Sequence, residues 1–226
     1  MNSKTTPLHV REHRSLLAPG ERLILVWLAA HMPKSLTPDH LTLIGFIGIL
    51  VSGLSFGAAA RDVRALYLVV VCLAVNWFGD SLDGTLARVR DTQRPRYGYY
   101  TDHVLDLIGT VALVCGMGAS GFMTPVVALG LLTAYLTVMA EVFLSTHVQK
   151  VFRLSFLFFG PTELRILLAV GTLFLFQKPK VKLAGAGSFL LFDVGGTVAI
   201  VGLTLALLIS AFRNIRTLYR EEPLPR

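Results

Sequence analysis

From Leu41 to Ala60 the chain reads LTLIGFIGILVSGLSFGAAA, with no charged side chain anywhere in the run. This feature limits the possible folds more than any other. About 20 apolar residues wound into a helix reach about 30 Å, the thickness of a bilayer's hydrocarbon core. Runs of the same kind recur at about 65–88, 98–118, 122–147, 163–177 and 188–212. Charged residues make up only 15% of the 226, and the mean hydropathy is +0.64. A soluble domain is about one quarter charged. The expected fold is therefore an all-α integral membrane protein with six transmembrane helices. Cys72 and Cys115 fall inside apolar runs and read as small buried hydrophobes rather than a disulfide framework. The opening MNSKTTPLHVREHR is polar and lacks the apolar core of a signal peptide.

Before the first run lies PGERLILVWLAAHM, Pro19 to Met32, too short to span and charged at its start. It reads as an amphipathic helix lying at the membrane interface. Pro33 and Pro38 then break the chain and turn it into the bilayer. Three parts are expected: a cytoplasmic N-terminus with the interfacial helix over 1–40, a transmembrane domain over 41–212 and a cytoplasmic tail over 213–226. Six spans place both termini on one side. Sixteen of the 21 Lys and Arg residues lie on that side. The positive-inside rule makes it cytoplasmic, in what reads as a bacterial inner membrane. The net charge of +7 then matches anionic lipid headgroups and needs no nucleic acid.

The second run ends in an unusual way, VNWFGDSLDGTLAR, Val75 to Arg88. Asp80 and Asp83 are spaced i, i+3 and share a helix face. Past an arginine-rich loop, Gly98, Asp102 and Asp106 repeat every fourth residue, again on one face. Antiparallel neighbours would bring four carboxylates together near the cytoplasmic surface. Such crowding is costly unless cations compensate it. All-oxygen ligands suit Mg²⁺, with Mn²⁺ also acceptable, and two such ions can clamp a phosphoryl group. Gly84, Ala87 and Gly98 leave room for a bulky ligand, and Arg88 offers a forked donor to phosphate oxygens. Read by themselves, the two glycines serve close helix packing equally well.

Together, Asp80-x-x-Asp83-Gly84-x-x-Ala87-Arg88 and Gly98-x-x-x-Asp102-x-x-x-Asp106 resemble the signature of the CDP-alcohol phosphotransferases. Nine residues, Val89 to Tyr97, separate the arginine from the second glycine, where that family has about eight. Thr37-Pro38-Asp39-His40-Leu41-Thr42 is similar to the start of the family's first span. The resemblance implies transfer of a phospho-alcohol group from a CDP-linked donor to a hydroxyl acceptor, with release of CMP, and two Mg²⁺ ions at the site. It implies Asp80, Asp83 and Asp102 as principal metal ligands, and Asp106 as the acceptor's base and a further metal contact. Asp80, Asp83, Gly84, Ala87, Arg88 and Gly98 would line the CDP pocket. The family also implies a homodimer, for which Gly53-x-x-x-Gly57 is a weak packing motif.

The acceptor is less legible. His103 after Asp102 is similar to the Asp-His of the choline and ethanolamine branch, and it reads either as an aid to proton transfer or as a histidine at the rim of the site. Glu141, His147 and the Gly160-Pro161-Thr162-Glu163 stretch lean the same way. Glu141 is either a headgroup contact or a carboxylate with a structural partner. Lys150, Arg153 and Arg165 form a basic fringe able to hold an acidic acceptor. The other branch transfers a phosphatidyl group from CDP-diacylglycerol to glycerol phosphate, inositol phosphate or serine. A divalent-cation transporter would also use membrane carboxylates, but this cluster lies at one surface and the chain shows no paired halves.

Overall fold

A computed structural model describes residues 17–149, 160–183, 187–222 and 224. The described chain is helical apart from one hairpin. Helix α1 covers Ala18–His31, α2 Pro38–Ala58, α3 Ala65–Val89, α4 Pro95–Ala119, α5 Pro125–Gln149, α6 Pro161–Phe174 and α7 Leu191–Glu221. Strands β1 (Lys180–Leu183) and β2 (Gly187–Leu190) pair antiparallel, with Lys180 opposite Leu190 and Leu183 opposite Gly187.

Five helices (α2, α3, α4, α5 and α7) are long and apolar enough to cross a membrane. The expected span at 163–177 corresponds to α6, whose 14 residues cover about 21 Å at the α-helical rise, short of the hydrocarbon core. The last expected span, 188–212, begins later and continues through the tail as one 31-residue helix. The hairpin precedes it, where only a basic loop was expected.

Prolines and caps set the starts. Pro38, Pro95, Pro125 and Pro161 each open a helix, where the missing N–H costs nothing. Thr37 caps α2 by accepting the N–H of His40, and His40 accepts the Thr37 N–H in return. At the far end of the bundle, Asp193 of α7 accepts the N–H of Thr124 at the start of α5.

Helix α2 is the axis. A methyl on Gly48 would lie 2.9 Å from the Asn76 nitrogen and 3.0 Å from the Cys72 oxygen of α3, and Gly79 returns the same close approach. On the other side Gly53 packs into the α4 backbone at Ala112 and Gly116. Gly53 of the Gly53-x-x-x-Gly57 motif is therefore spent on packing within the chain. Phe56, Leu66, Val69, Leu73, Met117 and Met123 fill the main core at the end of the bundle away from Asp80.

Helix α1 does not have the expected single polar face. Leu25 and Ala29 are buried with Leu82 and Leu86 of α3, while Leu23 (74% exposed) and Trp27 (61%) project outward. Its apolar residues cover both faces, and its acid, Glu21, points inward to Trp77. Arg90 at the end of α3 ties down the α1–α2 connection. It donates to the carbonyls of Met32 (3.0 Å), Pro33 (2.8 Å) and Leu36.

Candidate active site

Antiparallel α3 and α4, both packed on α2, bring the end of one and the start of the other together. Carboxylate oxygens of Asp80, Asp102 and Asp106 lie within 4.8 Å of one another, each side chain partly buried. They line a cleft with Thr42 and Gly45 of α2 and Asn76 of α3. The longer loop after Arg88 does not separate the faces. Asp91 takes up a left-handed turn at φ 53°, a conformation that Asp tolerates better than most residues.

Four carboxylates were expected to meet; three do. Asp83 stands outside the triad, with its carboxylate accepting the Thr42 hydroxyl at 2.6 Å. Three residues on from Asp80, about 60° round the helix, Asp83 meets the first turns of α2 at Thr42, which also lines the cleft.

A cation from elsewhere reaches the triad. Arg165 of α6 donates from Nη2 to Asp80 at 2.5 Å and from Nε to the Asn76 amide oxygen at 2.7 Å. Both side chains of the ion pair are mostly buried, at 16% and 21% exposed. Asn76 completes the link by donating to the Gly45 carbonyl at 3.0 Å. Crowding three carboxylates in a partly desolvated cleft is costly, and a divalent cation beside the Arg165 guanidinium would offset that cost. Three hard oxygen donors within ligating reach of one another fit Mg²⁺ or Mn²⁺.

The small residues divide into two kinds. Unlike the packed glycines of α2, Gly98 has no heavy atom within 4 Å of where a methyl would sit, and Gly84 would meet only the Arg88 guanidinium at 3.4 Å. Helix packing within the described chain does not account for either glycine. Ala87 is half-buried on the last turns of α3, and Arg88 is exposed and donates to Thr85 at 3.0 Å.

A profile of the CDP-alcohol phosphatidyltransferases matches residues 35–211. The chain belongs to this family. Over 86 residues it is 30% identical to an archaetidylinositol phosphate synthase of Pyrococcus horikoshii, a stretch that covers 38% of this chain and 43% of that relative. The chain is thus aligned to less than half of that relative's length.

The remaining acceptor candidates of this family member fall into place differently. His103 is buried between Tyr99, stacked at 4.2 Å, and Phe143 at 5.6 Å, with Nδ1 on the Tyr99 carbonyl. It does not line the cleft. Glu141 accepts from Ser210 at 3.0 Å and Asn214 at 2.6 Å, which ties α5 to α7. Glu163 accepts the Gly160 N–H at the start of α6 and the Leu17 N–H at the start of α1. His147 is exposed in the last turn of α5. Lys150 and Arg153 lie outside the described residues. Among the described candidates, Arg165 donates to Asp80 of the triad, and His103 Nδ1 lies 3.9 Å from the Asp102 carboxylate.

Sequence reasoning passed over Asn76, Thr42 and Glu21. Asn76 had a local signal, since it sits one turn before Asp80 on the same face. Thr42 stood in the Thr37–Thr42 stretch with no role of its own and Glu21 had no signal, because their partners are distant in the chain.

Proposed function

We propose that this protein transfers a phosphatidyl-type group from a CDP-linked lipid to the hydroxyl of a phosphorylated polyol, releasing CMP. The observation that carries the reading is the Asp80–Asp102–Asp106 triad with the Arg165 guanidinium set against it. Asp80, Asp102 and Asp106 would hold a divalent cation, with Asp83 beside them on α3. Bound there, the metal supplies charge neutralisation for the donor's pyrophosphate. Asp106 accepts the proton of the acceptor hydroxyl. The acceptor oxygen forms a bond to the donor's β-phosphorus, and the bond from that phosphorus to the CMP oxygen breaks. Gly84 and Gly98 leave open the side from which the CDP moiety approaches, and Arg88 faces its phosphates.

Two observations favour an anionic acceptor over the amino-alcohol branch. Glu141 and Glu163, the acids that leaned toward that branch, accept from Ser210 and Asn214 and from the Gly160 and Leu17 N–H groups. The residue at the triad is instead an arginine, whose planar fork suits phosphate. The Pyrococcus horikoshii relative, an archaetidylinositol phosphate synthase, is in keeping with such an acceptor. We further propose that the segment 163–177, which holds most of α6, forms a sixth crossing, and that α1 lies at the cytoplasmic interface with its apolar outer face in lipid. That topology places the triad at the cytoplasmic surface.

The test is CMP release by the protein in detergent with Mg²⁺. CDP-diacylglycerol, CDP-choline and CDP-ethanolamine are assayed against inositol phosphate, glycerol phosphate, serine and diacylglycerol. Turnover with a CDP-lipid and a sugar or polyol phosphate supports the reading. Turnover confined to a CDP-amino-alcohol with diacylglycerol would replace it with the other branch.

A further inference from the structure

Glu21 has no part in the proposed chemistry, yet it is among the most heavily engaged side chains outside the triad. It is the one acid of α1, and it faces the protein. Its Oε1 accepts from Trp77 Nε1 at 2.8 Å and Ser81 Oγ at 3.3 Å on α3, and from Thr162 Oγ1 at 2.7 Å on α6. The clasp is reciprocal, since Glu163 of α6 accepts the Leu17 N–H at the head of α1 at 3.0 Å. Three helices therefore meet at one carboxylate.

The clasp is adjacent to the triad on both of its partners. Ser81 follows Asp80 on α3. On α6, Thr162 and Arg165 are spaced i, i+3 and share a face. Helix α6 is thus pinned to α3 at two points one turn apart, by Thr162 through Glu21 and by Arg165 directly on Asn76 and Asp80. Releasing the first point leaves Arg165 to hold α6 against α3 at Asn76 and Asp80.

We infer that Glu21 is a positioning residue for the carboxylate triad. By fixing α6 against α3 it sets where the Arg165 guanidinium holds Asp80, and so how the triad presents its oxygens to a divalent cation. The inference rests on the reading of the triad as a metal site. Trp77, Ser81 and Thr162 are all neutral donors, so the clasp needs an acceptor oxygen at position 21 and not a charge. Glutamine keeps that oxygen and alanine removes it.

The experiment uses Mn²⁺ alone, titrated into the full-length protein in detergent, with free ion followed by electron paramagnetic resonance and thermal unfolding recorded in parallel. Glu21→Ala is expected to weaken Mn²⁺ binding at least five-fold, with Glu21→Gln within two-fold of the wild type. Thr162→Val, which leaves the α1–α3 contacts in place, is expected to weaken binding at least two-fold, and it decides the matter if Glu21→Ala does not fold. Wild-type affinity in Glu21→Ala or Thr162→Val, with only a lower melting temperature, makes the clasp merely structural and overturns the inference. Binding by Glu21→Gln as weak as that of Glu21→Ala overturns it too, by assigning the effect to charge. A wild type that takes up no Mn²⁺ overturns the metal reading itself, a result distinct from either.

Discussion

Replacing Gly98 by alanine should make the protein more stable and a worse enzyme. Gly98 lies exposed near the start of α4, and a methyl there meets no heavy atom within 4 Å. Nothing in the fold opposes the substitution. In an exposed helix alanine is favoured over glycine by about 0.8–1 kcal/mol. In the first turns of a helix about half of that, about 0.4–0.5 kcal/mol, is a fair expectation. For a chain of this size that corresponds to a rise in Tm of about 1–2 °C. On the functional side, a methyl forced into a close-fitting ligand contact costs about 1–3 kcal/mol. At 1.4 kcal/mol per factor of ten, donor affinity should fall roughly 5- to 150-fold. The assay pairs thermal unfolding in detergent with CMP release over a range of donor concentrations. Unchanged kcat and KM in Gly98→Ala would refute the idea that this glycine makes room for the donor. A lowered Tm would refute the reading that no packing partner exists. Gly84→Ala, which meets only the mobile end of Arg88, should follow the same pattern.

Gly116→Ala should do the opposite, losing about 1–3 kcal/mol or more of stability because a methyl there strikes the Gly53 backbone, with any activity loss tracking the unfolded fraction. Asp106→Asn should reduce CMP release by at least 100-fold while leaving the melting temperature near wild type; full turnover would remove Asp106 as the base. Chelation should stop turnover, and added Mg²⁺ or Mn²⁺ should restore it; activity that persists in chelator would dismiss the metal. Glu141→Gln should retain transfer, since its described partners Ser210 and Asn214 are neutral. Glu141→Leu should cost about 1–3 kcal/mol of stability by leaving those donors unmet.

The sequence by itself determined the class of fold and the core of the site. Uncharged runs of about 20 residues leave few alternatives to membrane helices, because unpaired backbone groups are too costly in hydrocarbon. The four-residue step from Asp102 to Asp106 is a local, helical fact and could be read directly, and the short α3–α4 connection brings Asp80 alongside that pair. Tertiary structure decided whatever depended on which helix packs against which. It drew Arg165 to Asp80 from 85 residues away, turned Asp83 to Thr42, and set Glu21 between α3 and α6. It engaged His103 between two aromatic rings and Glu141 with α7, in places where the sequence offered ligand contacts. It also separated the glycines that admit a neighbouring backbone, such as Gly48 and Gly53, from Gly84 and Gly98, which do not. Helical periodicity repeats within a turn or two, whereas these choices follow from the faces that long-range packing buries, and no local spacing records them.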